Sequence, residues 1–192
     1  RDLRMSRGLG DVYKRQPIYG EVLYKSKILP PLTTVNGKVI HRDWDYLQYF
    51  ISEARRLGLK VTVSTAMFPS GHPATREGLV YDEPRWDGKT CLEYTPGGKM
   101  LDIREDKKKV GAFLNPVRKD VRKFALSIVR EIVKNYDVDA YALDYCRYPG
   151  DGSDFSIDSQ KAFERYLGKK IQNFPDDIFT WNTDGTKKPG IY

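Results

Sequence analysis

The sequence predicts an α/β fold in which helices cover parallel strands. Two observations carry that prediction. An amphipathic helix over residues 43–57 passes through a two-residue turn into a β-branched stretch over 60–65. A second helix, from Asn115 to about Tyr136, passes in the same way into an apolar stretch over 138–143. Tight αβ units of this kind belong to parallel sheets covered by helices.

In the first helix Trp44, Leu47, Phe50, Ile51, Ala54 and Leu57 recur at three- and four-residue spacing. Asp43 is the expected N-cap and Gly58 the expected stop. After the first strand come about fifty residues rich in Pro, Gly, Tyr and charge, far longer than most connections. Within them Tyr94-Thr95-Pro96-Gly97-Gly98-Lys99 reads as a turn between two short extended pieces. Parallel α/β proteins bind ligands at the C-terminal ends of their strands, so this irregular segment is expected to wall a pocket for a polar ligand. In the second helix Asn115 is the expected N-cap and Pro116 the first helical residue, with Val117, Val121, Phe124, Ile128 and Ile132 as the apolar stripe. The strand that follows ends at Asp144. A third helix is expected to start near Ser156 or Asp158, to bury Ala162, Phe163, Tyr166 and Leu167, and to stop at Gly168. No internal repeat is visible beyond this alternation.

With 192 residues, 40% of them hydrophobic, the chain is long and apolar enough for one domain with a core. No apolar run approaches the ~18 residues of a membrane span, so none is expected. Residues 1–16 read as a translated sequencing adaptor: Asp11-Val12-Tyr13-Lys14-Arg15-Gln16 is what the codons GAT GTG TAT AAG AGA CAG encode. The expected domain therefore covers 17–192 and is truncated at both ends. Without residues 1–16 the chain holds 28 basic and 24 acidic residues, a net +4 with acids mixed throughout, which argues against a nucleic-acid partner. The cysteines, Cys91 and Cys146, and the histidines, His41 and His72, have no metal-ligand spacing, so neither a metal nor a cofactor is expected.

The most informative segment is Leu143-Asp144-Tyr145-Cys146-Arg147-Tyr148-Pro149. An apolar strand delivers Asp144 to its C-terminal tip, and Arg147 follows three residues later. Tyr145 and Tyr148 offer flat faces and hydroxyls, a surface suited to sugars. A carboxylate fixed there has two readings of equal weight from spacing alone. It can serve as acid, base or nucleophile in glycoside cleavage, or it can close the rim in a salt bridge with Arg147.

Three stretches together resemble the bacterial glycosyl-hydrolase-like family 10 proteins. They are Pro17-Ile18-Tyr19-Gly20-Glu21-Val22-Leu23-Tyr24; Phe113-Leu114-Asn115-Pro116; and Tyr136-Asp137-Val138-Asp139-Ala140 leading into Leu143-Asp144-Tyr145 and Arg147-Tyr148-Pro149. Asp154-Phe155-Ser156 and Phe174-Pro175-Asp176-Asp177-Ile178-Phe179 fit the same pattern, while Ala140 stands where relatives commonly carry Gly. The resemblance implies part of a TIM-type (β/α)8 barrel, roughly its second to fourth βα units. It implies a hydrolase acting on a polysaccharide or cell-wall-type glycan, secreted, periplasmic or at the cell surface. Asp144 is then the candidate catalytic carboxylate. The substrate-binding candidates are Glu21, Tyr24, His72, Asn115, Arg147 and Tyr148. Glu21 is the next carboxylate in line, although a role as acceptor from a substrate hydroxyl suits it better. Asn115 also reads as a plain helix cap, and His72 as a loop histidine. The other reading of the whole is a barrel that binds glycans through the same cleft without cleaving them.

Overall fold

Helix α1, Tyr46–Arg56, is set by its two ends. Asp45 caps it, accepting the Gln48 N–H at 2.9 Å, and Gly58 closes it. Gly58 sits at φ +70°, the left-handed turn that lets its N–H reach Arg55 and the Leu59 N–H reach Ala54, both at 2.9 Å. The cap is thus Asp45 rather than the expected Asp43, and Trp44 lies outside the helix, 44% exposed. Asp45 has further partners: its other oxygen accepts the Lys25 N–H and the Tyr136 hydroxyl. This computed structural model describes residues 20–35, 38–39 and 43–192. The adaptor reading of 1–16, the start of the first motif and His41 lie outside them.

Leu47, Ile51 and Ala54 of α1 are buried in the main core. Ahead of α1 lies a minimal antiparallel pair, β1 (Thr34–Val35) with β2 (Lys38–Val39). After it comes β3, Thr62–Ala66, with Val61 and Val63 in the core. The second amphipathic helix, α3 (Lys119–Asn135), returns the chain to β6, Ala140–Asp144, which pairs parallel with β3 in the register Thr62↔Ala140 to Ala66↔Asp144. Among the described residues this is the parallel sheet, and it has two strands. Both strands start two residues later than expected because the residues before them make a clamp. Asp139 accepts the Val61 N–H at 2.6 Å and pairs with Arg55 at 2.7 Å, while Arg55 also meets Asp137. These bonds hold the Asp139 carboxyl below the usual carboxylate range, the Val61 N–H contributing most.

The segment between β3 and the second amphipathic helix is not the irregular loop that its composition suggests. It folds into the one-turn helix α2 (Leu79–Asp82), a 3₁₀ turn at Pro84–Trp86, a hairpin of β4 (Leu92–Thr95) and β5 (Lys99–Asp102), and a second 3₁₀ turn at Ile103–Glu105. The hairpin turn falls at Pro96-Gly97-Gly98, as the sequence predicts. Cys91, Ile103, Phe113 and Leu114 of this segment are fully buried. Trp86 packs on Phe124 with ring centres 4.6 Å apart. The segment carries its own share of the core, which composition alone does not reveal.

Helix α3, Lys119–Asn135, buries Val121, Ala125, Ile128 and Ile132. It begins after Arg118, not at Pro116. Asn115 accepts the Val117 N–H at 3.0 Å and so closes a turn ahead of the helix, because its amide is drawn the other way, as described below. After β6, helix α4 spans Ile157–Leu167, with Ser156 as N-cap and Gly168 in the left-handed conformation. Its buried residue is Glu164, whose carboxylate takes Gln160, Lys170 and the Ile171 N–H. The expected buried face fails at Tyr166, which is 84% exposed, and Ala162, Phe163 and Leu167 are half-buried. No parallel strand follows α4 among the described residues; Phe163 stacks instead on Tyr166 and meets Tyr192 edge-on. The next pair, β7 (Phe179–Trp181) and β8 (Lys187–Pro189), is antiparallel, and Phe179 joins Tyr94 and Phe155 in a small second core.

Ile132 is fully buried in the main core. Ile132→Ala should cost about 2–5 kcal/mol, the range for removing buried methyl groups. Lys134→Ala, on the exposed side of α3, should change stability by about 0.5 kcal/mol or less. Urea unfolding of both variants checks this, and equal losses would refute the assigned helix face.

Candidate functional site

The parallel register delivers Asp144 opposite Ala66, so both chains leave the sheet at one level. The Met67 N–H bonds the Asp144 carbonyl at 2.8 Å. Tyr145 then adopts φ +46°, a left-handed turn rare for a bulky residue, and donates its N–H to Asp144 Oδ1 at 2.8 Å. The Asp144 side chain is exposed at this tip. Arg147 does not pair with it. The guanidinium donates to the carbonyls of Tyr148 at 2.9 Å and Pro149 at 3.4 Å. It lies over the rings of Tyr145 and Phe113, 5.2 and 5.9 Å from their centres. The rim salt bridge considered from spacing is therefore not made, and Arg147 is held by aromatic faces with part of its donor fork exposed. Tyr148 is half-buried, and burial pushes its phenol up, with the Ser159 hydroxyl opposing.

Glu21 stands at the same end, beside α2. Gly20 fixes that approach: at φ +79°, a Cβ there would come within 2.5 Å of Leu79. Burial, then the charges of Asp82 and Glu77, raise the Glu21 carboxyl above its ordinary value. His72 lies half-buried in the neighbouring tight loop, whose ends are tied by the His72 N–H to the Glu77 carbonyl at 2.9 Å. Tyr24 is buried, its ring edge-on to Tyr136 at 5.7 Å, and it lines an apolar hollow under the end of β3 with Met67 and Leu29. Asn115 is 1% exposed and wholly committed inside the protein. Its amide donates to Asp154 and to Ser156 Oγ at 2.9 Å, and its carbonyl oxygen takes the Val117 N–H. Asp144, Arg147 and Tyr148 are thus brought together at one tip, Glu21 and His72 sit on adjoining loops, and Tyr24 and Asn115 lie beneath.

The residue that sequence reasoning missed is Asp154. It accepts from Asn115, Ser156 and Ser159 on one oxygen and from the Leu92 N–H at 2.6 Å on the other. It ties the hairpin, the turn before α3 and the cap of α4 into one network. The signal was present in Asp154-Phe155-Ser156, an acid two residues before a helix-capping Ser. Among the described residues no group of three His, Cys, Asp or Glu side chains is arranged to hold a metal ion. Neither cysteine is in a disulfide: Cys91 is buried, which pushes its thiol up, and Cys146 is exposed beside the strand tip.

A carboxylate, a guanidinium and aromatic rings gathered where parallel strands end define a candidate ligand site of an α/β protein. Residues 9–188 match the family model Glycosyl hydrolase-like 10, and the chain belongs to that family. It is also similar to an S-layer-related protein of Niallia circulans, 38% identical over 143 residues, which make up 72% of this chain and 9% of that protein. The chain thus spans about a tenth of the length of that relative.

Two outcomes test this geometry. Asn115→Ala leaves the half-buried Asp154 short of a donor, and the loss should be about 1–3 kcal/mol by urea unfolding, more than removal of a solvated helix cap. A loss below about 0.5 kcal/mol would show the network to be incidental. Glu21 works in the opposite sense. Its folded carboxyl holds a proton more tightly than the unfolded one, so stability falls as pH rises from about 4.5 through the raised value. Glu21→Gln removes that penalty and should raise the melting temperature at pH 7 but not at pH 4. An equal shift at both pH values would contradict the raised carboxyl.

Proposed function

We propose that this chain is part of a (β/α)8 barrel that handles glycans, with Asp144 as a catalytic carboxylate of glycoside cleavage. The observation that carries the reading is the parallel register that puts an exposed carboxylate at the tip of β6, beside Arg147 and Tyr145. Barrel enzymes place their chemistry at that end of the strands. Membership of a glycosyl-hydrolase-like family supports it. The two parallel strands with α1, α3 and α4 are what consecutive barrel units would supply.

In this reading Arg147 and Tyr148 hold sugar hydroxyls, and the ring of Tyr145 offers a stacking face. Cleavage needs two carboxyl groups, ~5 Å apart for retention or ~6.5–9.5 Å for inversion. Glu21 and His72 contact substrate from the neighbouring loops. The raised carboxyl of Glu21 holds a proton more tightly than an ordinary glutamate does. Asn115, through Asp154, positions the turn before α3, and Tyr24 shapes the floor. The substrate class is a polysaccharide or cell-wall-type glycan, and the S-layer-related relative supports a secreted or cell-surface setting.

One observation favours a second reading, a barrel that binds glycan without cleaving it: Asp144 Oδ1 is already engaged by the Tyr145 N–H. Asp144→Asn in the full-length protein separates the two. If Asp144 is catalytic, turnover of a cell-wall glycan should fall by about 10²-fold or more with little change in glycan affinity. Near-normal turnover would refute the catalytic role. Binding with no turnover by the unmutated protein would favour the binding module.

A further inference from the structure

A second feature of the same end has no part in the site above. The first turn of α3 and the outer side of α4 face each other across a groove of about 560 Å³. Its charged lining is six cations, Arg118, Lys119, Arg122, Lys123, Lys161 and Arg165, against two acids, Asp120 and Asp158. Both acids are already neutralised. Arg118 pairs with Asp158 and, at 3.3 Å, with Asp120, and Lys89 reaches Asp120 at 3.0 Å. Arg122 is spent on the carbonyls of Pro116 and Val117.

Lys119, Lys123, Lys161 and Arg165 remain exposed, and none of them makes an ion pair or hydrogen bond among the described residues. They stand in two rows, one pair on each helix, with members one helical turn and ~6 Å of rise apart. Elsewhere in the described residues cations such as Arg55, Arg76 and Arg104 are paired with carboxylates. Four unneutralised cations around one concavity repel one another, and a multivalent anion relieves that cost.

We propose that this groove binds an anionic polysaccharide, a glycan chain bearing one carboxylate or phosphate per repeat. The two rows of cations match a partner whose charges recur along its length, better than a single small anion. The lining includes no aromatic ring to stack a base, and its one apolar side chain is Val117, which disfavours single-stranded nucleic acid. Helix α3 ends shortly before β6 begins, so its first turn lies toward the strand ends that carry Asp144, and the bonds from Asn115 to Ser156 and from Arg118 to Asp158 hold the first turn of α4 beside it. A polymer held in the groove is thereby kept at the mouth of the site. This deepens the glycan reading and rests on it.

The test uses the full-length protein and four probes: polygalacturonate, phosphomannan, neutral dextran and duplex DNA. Calorimetric titration should show binding of at least one of the two anionic glycans, weakening as salt is raised. The triple substitution Lys119→Glu, Lys123→Glu, Lys161→Glu should weaken it about tenfold or more, and the corresponding triple Lys→Arg substitution should retain it. Turnover or binding of an uncharged glycan at the Asp144 site should be the same in both variants. If the Glu variant loses its circular dichroism signal, the triple Lys→Gln substitution takes its place, with a loss of at least about threefold expected. The anionic glycan that binds more tightly identifies the anion as carboxylate or phosphate. Failure of both anionic glycans to bind overturns the proposal, as does unchanged polyanion affinity after charge reversal or DNA binding as tight as that of the tighter-binding glycan. Absence of uncharged-glycan binding by the unmutated protein, with polyanion binding intact, would instead count against the Asp144 reading alone.

Discussion

Five paired residues between β3 and β6 set the position of everything else. Parallel strands cannot be joined by a hairpin, so the chain must cross over, and here the crossover carries both the buried segment and α3. The pairing is held at both ends. Asp139 locks its start to Val61 and Arg55, and the Met67 N–H closes on the Asp144 carbonyl at its finish. A slip of one residue would reverse the faces of Tyr141 and Leu143 and move Asp144 away from Ala66. The site is therefore a consequence of register before it is a matter of loop conformation.

Much of this was legible in the chain. Leu47, Ile51 and Ala54 of α1, Val121, Ile128 and Ile132 of α3, the β-branched run of β3, the turn at Pro96-Gly97-Gly98 and the stop at Gly168 follow from periodicity and turn chemistry, while Trp44, Leu57 and Val117, also expected on the apolar stripes, fall outside their helices. The caps were harder to read. Asp43 and Asp45 are both plausible caps, and the choice falls on Asp45, which is also positioned to take the Lys25 N–H and the Tyr136 hydroxyl. Asn115 has the chemistry of a cap but is pulled toward Asp154, 39 residues away, and no local pattern encodes that partner. Arg147 is three residues from Asp144 and still chooses ring faces and carbonyls, because the left-handed turn at Tyr145 redirects the chain between them.

The segment between β3 and α3 shows why composition misleads. Its Pro, Gly and charge read as surface, yet Cys91, Ile103, Phe113 and Leu114 are among the best-buried residues in the molecule. The polar residues make the turns that bring these few apolar ones inward. Phe113 then serves two ends, filling the core and offering its face to Arg147. Long connections can thus act as small structural units, with the ligand-facing surface built on their own packed interior.

The contrast between the two cysteines has a practical meaning. Cys91 is sealed from solvent and its thiol is held in the unreactive, protonated form, whereas Cys146 is open and lies two residues past Asp144. Within this chain Cys146 is thereby the addressable thiol, at the strand tip. A fluorophore or spin label can be placed there without engineering, where it would report the arrival of a ligand as a change in its own mobility and polarity.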